Sequence, residues 1–222
     1  MTDVTALLRE RPCLLLDFDG PICAVFSGLS NRSAALQLID ATGVTPPTEV
    51  ASTSDPFDVL NFAASALGEP TVTRVEECFT NAELEAVRTA RPTPHADAVI
   101  RSGAVPFRRV AVVSNNSSAA VSAYLAAHGL RPYIAGIFAR TSSNVARLKP
   151  APDLLKEAMA SLKLPPERCS FVGDSVTDIQ AAHAADIPAI AFANKPGKAE
   201  RLAEYQPEAI ITSMSELLPA LS

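Results

Sequence analysis

Apolar residues along this chain gather in short unbroken runs that stop abruptly at polar residues. Cys13-Leu14-Leu15-Leu16 ends at Asp17-Phe18-Asp19-Gly20. Val110-Ala111-Val112-Val113, Phe171-Val172 and Pro188-Ala189-Ile190-Ala191-Phe192 look alike; Ala209-Ile210-Ile211 is weaker, and Ile134 to Phe138 is a further candidate. Continuous rather than alternating hydrophobicity predicts strands buried on both faces, as in a parallel sheet. Helical spacing fills the gaps. Val121, Tyr124, Leu125 and His128 share one face, and Gly129 supplies the stop; Leu155, Ala158, Met159 and Leu162 repeat the pattern after Pro152, which suits a first-turn position. Strand–helix–strand alternation predicts an α/β fold, a doubly wound, Rossmann-like parallel sheet with helices on both faces.

The texture changes after the first strand. From about residue 30 to 90 the chain reads as helices only. Asp55-Pro56 opens one as N-cap and first residue, with Phe57, Leu60, Ala64 and Leu67 on one face and Gly68 closing it. Val72, Val75, Phe79, Ala82 and Ala86 form another stripe, with Glu76, Glu77, Glu83 and Glu85 mostly off it. These features predict a small all-helical domain inserted after the first strand. The expected division is a core of residues 1–24 and 91–222 and an insertion of residues 25–90, with hinges at Gly20–Gly28 and Arg91–Pro94.

Composition narrows the function classes. The chain has 222 residues, nearly half of them hydrophobic, so a sizeable core is expected. A formal charge of −5 and the lack of any basic run argue against nucleic-acid binding. Cys13, Cys23, Cys78 and Cys169 are scattered, which reads as a reduced protein rather than a disulfide framework. The first residues lack a signal-peptide h-region, and no apolar stretch approaches the roughly 20 residues that span a bilayer. A cytoplasmic protein without a membrane partner is the expectation; oligomeric state is not readable.

In open parallel sheets, ligands bind outside the carboxyl ends of the strands. Asp17 and Asp19 follow the first strand, Ser114 and Asn115 the Val110–Val113 strand, and Gly173, Asp174 and Asp178 the Phe171-Val172 strand. Lys149 precedes Pro150 in a loop. Folding is expected to bring these groups to one edge, where they suit phosphoryl transfer. Asp17 and Asp174 would hold Mg²⁺, a hard cation that prefers oxygen ligands. The metal and Lys149 would neutralise the phosphoryl oxygens, and Ser114 with nearby backbone N–H groups, Asn115 included, would donate hydrogen bonds to them. Asp17 would attack to form an aspartyl-phosphate, and Asp19 would serve as general acid and then general base. Gly20 would remove a side chain where the backbone turns beside the phosphate.

These residues resemble the haloacid dehalogenase superfamily in its phosphatase branch. Asp17-Phe18-Asp19-Gly20 resembles the nucleophile motif, and Val113-Ser114-Asn115 the second motif. Leu148-Lys149-Pro150 through Pro152-Asp153 resembles the third, and Val172-Gly173-Asp174-Ser175 with Asp178 the fourth. The helical insertion is similar to the cap of phosphoglycolate phosphatase and β-phosphoglucomutase relatives. The resemblance implies Mg²⁺ ligation by the Asp17 carboxylate, the Asp19 main-chain carbonyl and Asp174, with Asp178 in support, and a small-molecule phosphate ester as substrate. Asp19 favours ester chemistry, since dehalogenases of the superfamily lack that acid. After Gly20 the family pattern Thr-Leu-x-Asp-Ser is replaced by Pro21-Ile22-Cys23-Ala24-Val25, and the insertion holds no histidine, which weighs against a sugar-phosphate mutase.

Plainer roles compete at several positions. Ser175 and Asp178 also read as a capping box. Ser114 could begin a turn, and Lys149 could be an ordinary solvated lysine. His95, His128 and His183 have no metal spacing, Cys23 reads as packing, and Arg32, Asn61 and Arg74 read as solvated before they read as substrate contacts. A phospho-acceptor module resembling a response-regulator receiver, or a non-catalytic binding protein, are the functional alternatives.

Overall fold

The computed structural model describes residues 3–141 and 145–221. Its strands are β1 (Cys13–Leu16), β2 (Cys23–Ala24), β3 (Arg91–Pro92), β4 (Arg109–Ser117), β5 (Ile137–Arg140), β6 (Cys169–Gly173), β7 (Ala189–Phe192) and β8 (Ala209–Ile211). Among the described residues six of them form one parallel sheet in the order β5-β4-β1-β6-β7-β8. The chain winds outward from β1 in both directions, so the strand order reverses between β1 and β6.

The unbroken apolar runs have a simple cause: each central strand feeds two cores. Leu14, Leu16, Val110, Val112 and Val172 face one hydrophobic cluster, and Leu15, Ala111, Val113 and Phe171 face the other. The first cluster is covered by α1 (Val4–Arg9), α6 (Ala96–Gly103), α7 (Ser118–Ala127) and α11 (Leu218–Leu221). The second is covered by α8 (Asp153–Leu162), α9 (Val176–Ala184) and α10 (Lys198–Ala203). With period two along an extended chain, Phe18 continues the Leu14–Leu16 face and packs edge-on against Tyr124 at 5.3 Å. Asp17, between them, is turned toward the opposite side.

Between β2 and β3 lie α2 (Asn31–Thr42), α3 (Thr48–Ser52), α4 (Pro56–Ala66) and α5 (Glu69–Ala86). Leu38, Val59, Leu60, Val75 and Phe79 from this block join the same cluster as Leu15 and Phe171, so the two apolar interiors are continuous. The chain enters and leaves the block side by side, with β2 and β3 paired antiparallel as Cys23↔Pro92 and Ala24↔Arg91. Thr93 Oγ1 donates to Gly20 O at 2.6 Å, tying this ribbon to the turn after β1.

Several local expectations shift. Asp55 caps α4, its carboxylate accepting from Phe57 N at 2.9 Å, but the buried face is Pro56, Val59, Leu60 and Ala63. Phe57 is only half-buried and turns toward Phe79, with ring centroids 4.8 Å apart. Gly68 does not close α4: it has φ −74° and serves as the N-cap of α5, while Leu67 ends α4 in extended backbone. Pro152 is likewise the N-cap of α8, one place before its first turn. β4 runs through Ser117, so Ser114 and Asn115 lie within the strand, at a register irregularity opposite β5, rather than after it. β5 itself starts at Ile137 because Arg131–Tyr133 forms a helical turn.

Candidate active site

The acids converge at the strand-order reversal. Asp17, Asp174 and Asp178 each place a carboxylate oxygen within 4.8 Å of the others. Lys149 sits among them, its Nζ 2.8 Å from Asp17 Oδ1 and 2.6 Å from Asp178 Oδ1. It also donates to Val113 O at 3.3 Å and lies 5.2 Å from the Phe171 ring centroid. Lys149 is buried and paired rather than solvated.

Lys149 is held by its neighbour on β4. Asn115 Oδ1 accepts from Lys149 N at 2.8 Å, and Asn115 Nδ2 donates to Lys149 O at 3.0 Å. The Asn115 side chain therefore fixes the lysine's backbone, which leaves its main chain, not its amide group, to face a ligand. Ser114 is buried beside it, accepting from Asn116 N at 3.3 Å and within 3.2 Å of Asn116 Oδ1.

Asp178 does two jobs. Its Oδ2 accepts from Asp174 N at 3.0 Å and Ser175 N at 2.9 Å, and Ser175 Oγ returns the capping box at the start of α9. Its Oδ1 meets Lys149. The helix-start role expected from the spacing and a place in the charged cluster thus belong to one side chain.

Asp174 is enclosed by two groups not anticipated from the sequence. Lys198 Nζ forms an ion pair with Asp174 Oδ2, and also donates to Asn194 Oδ1 at 2.9 Å. Gly20 lies on the other side, with φ +103°. A Cβ built there would stand 2.4 Å from Asp174 Cγ, so the glycine makes room for a carboxylate as well as for the turn. We predict that Gly20→Ala displaces Asp174 and costs about 1–3 kcal/mol, strain at a sparsely populated φ included. Thermal unfolding with and without Mg²⁺ measures both effects; a variant as stable as the parent, with unchanged metal response, would contradict it.

Electrostatics follow from burial. Removal from water pushes the Asp17 carboxyl up to about 7, against the pull of Lys149 and with help from Asp178. Burial also raises Asp174, opposed by Lys198. Burial alone would lower Lys149, but Asp17 and Asp178 outweigh it and hold its ammonium well above the ordinary lysine value. Asp19 is exposed at the cavity mouth, where the loss of part of its water to the surrounding walls pushes its carboxyl up to about 6, moderated by a 2.9 Å bond from Val25 N to its Oδ1. Four carboxylates thus share the site with two ammonium groups. The surplus of hard oxygen ligands and negative charge fits a divalent cation such as Mg²⁺.

The cluster forms the floor of a cavity of about 560 Å³ whose floor includes Asp17, Asp19, Ser114, Asn115, Lys149 and Asp174. Its roof comes from the helical block: Phe26, Asn31, Thr53, Asp55, Phe57 and Phe79 among others. Asn61 lines a separate cavity, and Arg74 donates to Ala41 O at 2.7 Å, away from the site. Arg32 donates to Thr53 O at the rim. Cys23 is buried in β2, and burial raises its thiol. His128 bonds Tyr124 O and His183 lies near Glu208, far from this chemistry.

A further polar cluster braces the site from behind and corrects the reading of α5. Glu83, expected off the apolar stripe, is buried. It accepts from Asn116 Nδ2 at 3.0 Å and Ser117 N at 2.9 Å and pairs with Arg140 of β5 at 2.7 Å. Arg140 also pairs with Glu76, covers the Phe79 ring at 4.5 Å and donates through Nε to Asn115 O at 3.1 Å.

Known proteins share this architecture. A family model described as haloacid dehalogenase-like hydrolase matches residues 13–186, and the chain belongs to that family of hydrolases. Phosphoglycolate phosphatase of Salmonella paratyphi A is 40% identical over 78 residues, covering 35% of this chain and 31% of that protein. Phosphoglycolate phosphatase of Escherichia coli K12 is 33% identical over 110 residues, covering 50% of this chain and 43% of that protein. The chain therefore spans less than half the length of these curated relatives. CbbY of Rhodobacter sphaeroides, solved in complex with phosphate, has the same fold, with a TM-score of 0.71 at 21% identity over 93% of this chain and 99% of that one. Among the described residues no helix is long and apolar enough to cross a membrane.

Proposed function

We propose that this chain is a Mg²⁺-dependent phosphatase of small-molecule phosphate monoesters that works through an aspartyl-phosphate on Asp17. The observation that carries it is the meeting of Asp17, Asp174 and Asp178 within 4.8 Å, with Lys149 bridging Asp17 and Asp178. Similarity to phosphoglycolate phosphatases over part of the chain supports the same reading.

In this reading residues 1–24 and 91–222 are the catalytic core and residues 25–90 the cap. Asp17, Asp174 and the Asp19 main-chain carbonyl hold the metal, with Asp178 in support. When bound, Mg²⁺ would supply positive charge to the phosphoryl oxygens and favour the ionised form of the Asp17 carboxyl. Lys149 balances the remaining charge, and Ser114 with the main chain from Asn115 onward donates hydrogen bonds. One oxygen of Asp17 is fixed by Phe18 N at 2.7 Å and by Lys149; its second oxygen bonds to phosphorus as the ester P–O bond breaks. Asp19, carrying its proton closer to neutral pH than a free aspartate, gives it to the departing alkoxide. It then takes a proton from water, which attacks the acyl phosphate and releases inorganic phosphate with Asp17 restored. A receiver-type acceptor is disfavoured by Asp19, which speeds loss of the phosphoryl group, and a mutase by the histidine-free block between β2 and β3.

Phosphate release from p-nitrophenyl phosphate and from a panel including 2-phosphoglycolate and sugar phosphates tests this. Turnover is expected to vanish in EDTA and to return saturably with Mg²⁺. Turnover indifferent to EDTA would remove the metal from the proposal; no turnover of any ester would remove the phosphatase.

A further inference from the structure

The roof of the cavity differs in character from its floor, and the difference bears on the alcohol that the substrate carries. Phe26 and Phe57 give it an apolar face backed by the buried Phe79, and Asn31 and Thr53 give it neutral hydrogen-bonding groups. Among the described residues its single charged side chain is Asp55, and the side chains outside them, of Met, Thr, Ser and Asn, are uncharged.

Among the described residues no arginine or lysine of the helical block lines the cavity. Arg32 holds the Thr53 carbonyl, and Arg140 lies behind Phe79 between Glu76 and Glu83. The N-terminus of α4, which opens at the cavity roof, is filled by the chain's own carboxylate, since Asp55 Oδ1 accepts from Phe57 N at 2.9 Å. That bond also fixes where the charge sits. A substrate whose phosphoryl group rests on Lys149 therefore directs its far end at a fixed negative charge flanked by phenyl rings. A second anion placed beside Asp55 meets its repulsion, whereas a hydroxyl or ammonium group finds an acceptor.

We propose that the substrate is a phosphate monoester whose alcohol portion lacks a second anionic group and presents an apolar face to the phenyl rings and a hydrogen-bond donor to Asp55. This rests on the phosphatase reading above and narrows it. It sets the chain apart from an enzyme for 2-phosphoglycolate, whose alcohol portion ends in a carboxylate.

The test uses three six-carbon phosphates that differ in charge: glucosamine 6-phosphate, glucose 6-phosphate and 6-phosphogluconate. Each competes against p-nitrophenyl phosphate turnover, so its inhibition constant is read whether or not it is itself hydrolysed. Glucosamine 6-phosphate is expected to bind at least about tenfold tighter than 6-phosphogluconate, with glucose 6-phosphate between them. Asp55→Asn keeps a good helix cap and so keeps the fold; it is expected to compress that ratio, and Asp55→Lys to invert it. If 6-phosphogluconate binds as well as glucosamine 6-phosphate, or if the ratio survives Asp55→Asn, the inference is overturned while Mg²⁺-dependent p-nitrophenyl phosphate turnover still stands. If p-nitrophenyl phosphate is not hydrolysed at all, the phosphatase reading falls and takes this inference with it.

Discussion

Asp17→Asn is expected to lower phosphate release by roughly 10⁴-fold or more, the scale seen when a covalent nucleophile is removed. An amide oxygen is a poor nucleophile for phosphorus, so on the proposed mechanism no aspartyl-phosphate forms while the cavity keeps its shape. Lys149 retains Asp178 as a partner at 2.6 Å, and Phe18 N can still bond the amide oxygen. Burst labelling with a radiolabelled ester separates loss of chemistry from loss of binding: the parent accumulates acid-stable protein phosphate and the variant does not. A residual rate within about tenfold of the parent would assign the nucleophile elsewhere.

The same substitution has a second readout, stability against pH in EDTA. Folded Asp17 has its carboxyl raised to about 7 from an ordinary value near 3.8. The native state therefore binds this proton more tightly than the unfolded chain does. Its stabilising contribution is fully present below about pH 4 and is lost as pH climbs to about 7, because ionisation is then harder in the native state. Asp17→Asn removes that slope, so the metal-free variant gains on the parent between these limits, by an amount on the order of a few kcal/mol at neutral pH. Differential scanning calorimetry across that range reads it as a diverging pair of melting temperatures. Parallel curves would show that Asp17 is not strained by burial in the metal-free protein.

Strand ends carried most of the legible information. Asp17, Ser114 and Asp174 were expected at one edge because continuous apolar runs specify buried parallel strands and parallel strands present their carboxyl ends together. The structure brings them together at the β1–β6 reversal. The same rule reaches Lys198 and Asn194, since Asn194 follows β7 and Lys198 opens the next helix, but no motif spacing marks them. Glu83 and Arg140 are harder. A buried ion pair joining residues 57 apart looks, in sequence, like two solvated charges. The signal available was positional, since Glu83 stands four residues after buried Phe79 and three before buried Ala86, within the apolar stripe. The displaced face of α4 has another cause. Phe57 belongs to the cavity, so the pattern that reads as one core face serves two surfaces.

Arg140→Met is expected to destabilise the protein by about 3–5 kcal/mol, the cost of leaving a buried carboxylate without its cation. The Arg140 side chain is fully enclosed, as is Glu83, so solvent does not replace the lost partner. Among the described residues Asn116 Nδ2 and Ser117 N remain to hold Glu83, and Glu76 loses its cation while keeping the bond from Thr80 Oγ1. For a chain of this length each kcal/mol is worth roughly 2–4 °C, so a fall of roughly 6–20 °C in melting temperature is expected. Adding Glu83→Gln should recover part of the loss, because a neutral amide keeps the bonds from Asn116 and Ser117 without a stranded charge. The resulting double-mutant cycle reports the coupling directly. Activity measured well below the new melting point carries further information. Arg140 Nε holds the Asn115 carbonyl, and Asn115 clamps the main chain of Lys149 on both sides. Loosening that chain misplaces the Lys149 ammonium, so on the proposed mechanism kcat should fall more than KM rises. A variant that melts with the parent would show that the Glu83–Arg140 pair contributes nothing net to holding the helical block on the sheet, and an unchanged kcat would show that the Arg140–Asn115 bond is dispensable for positioning Lys149.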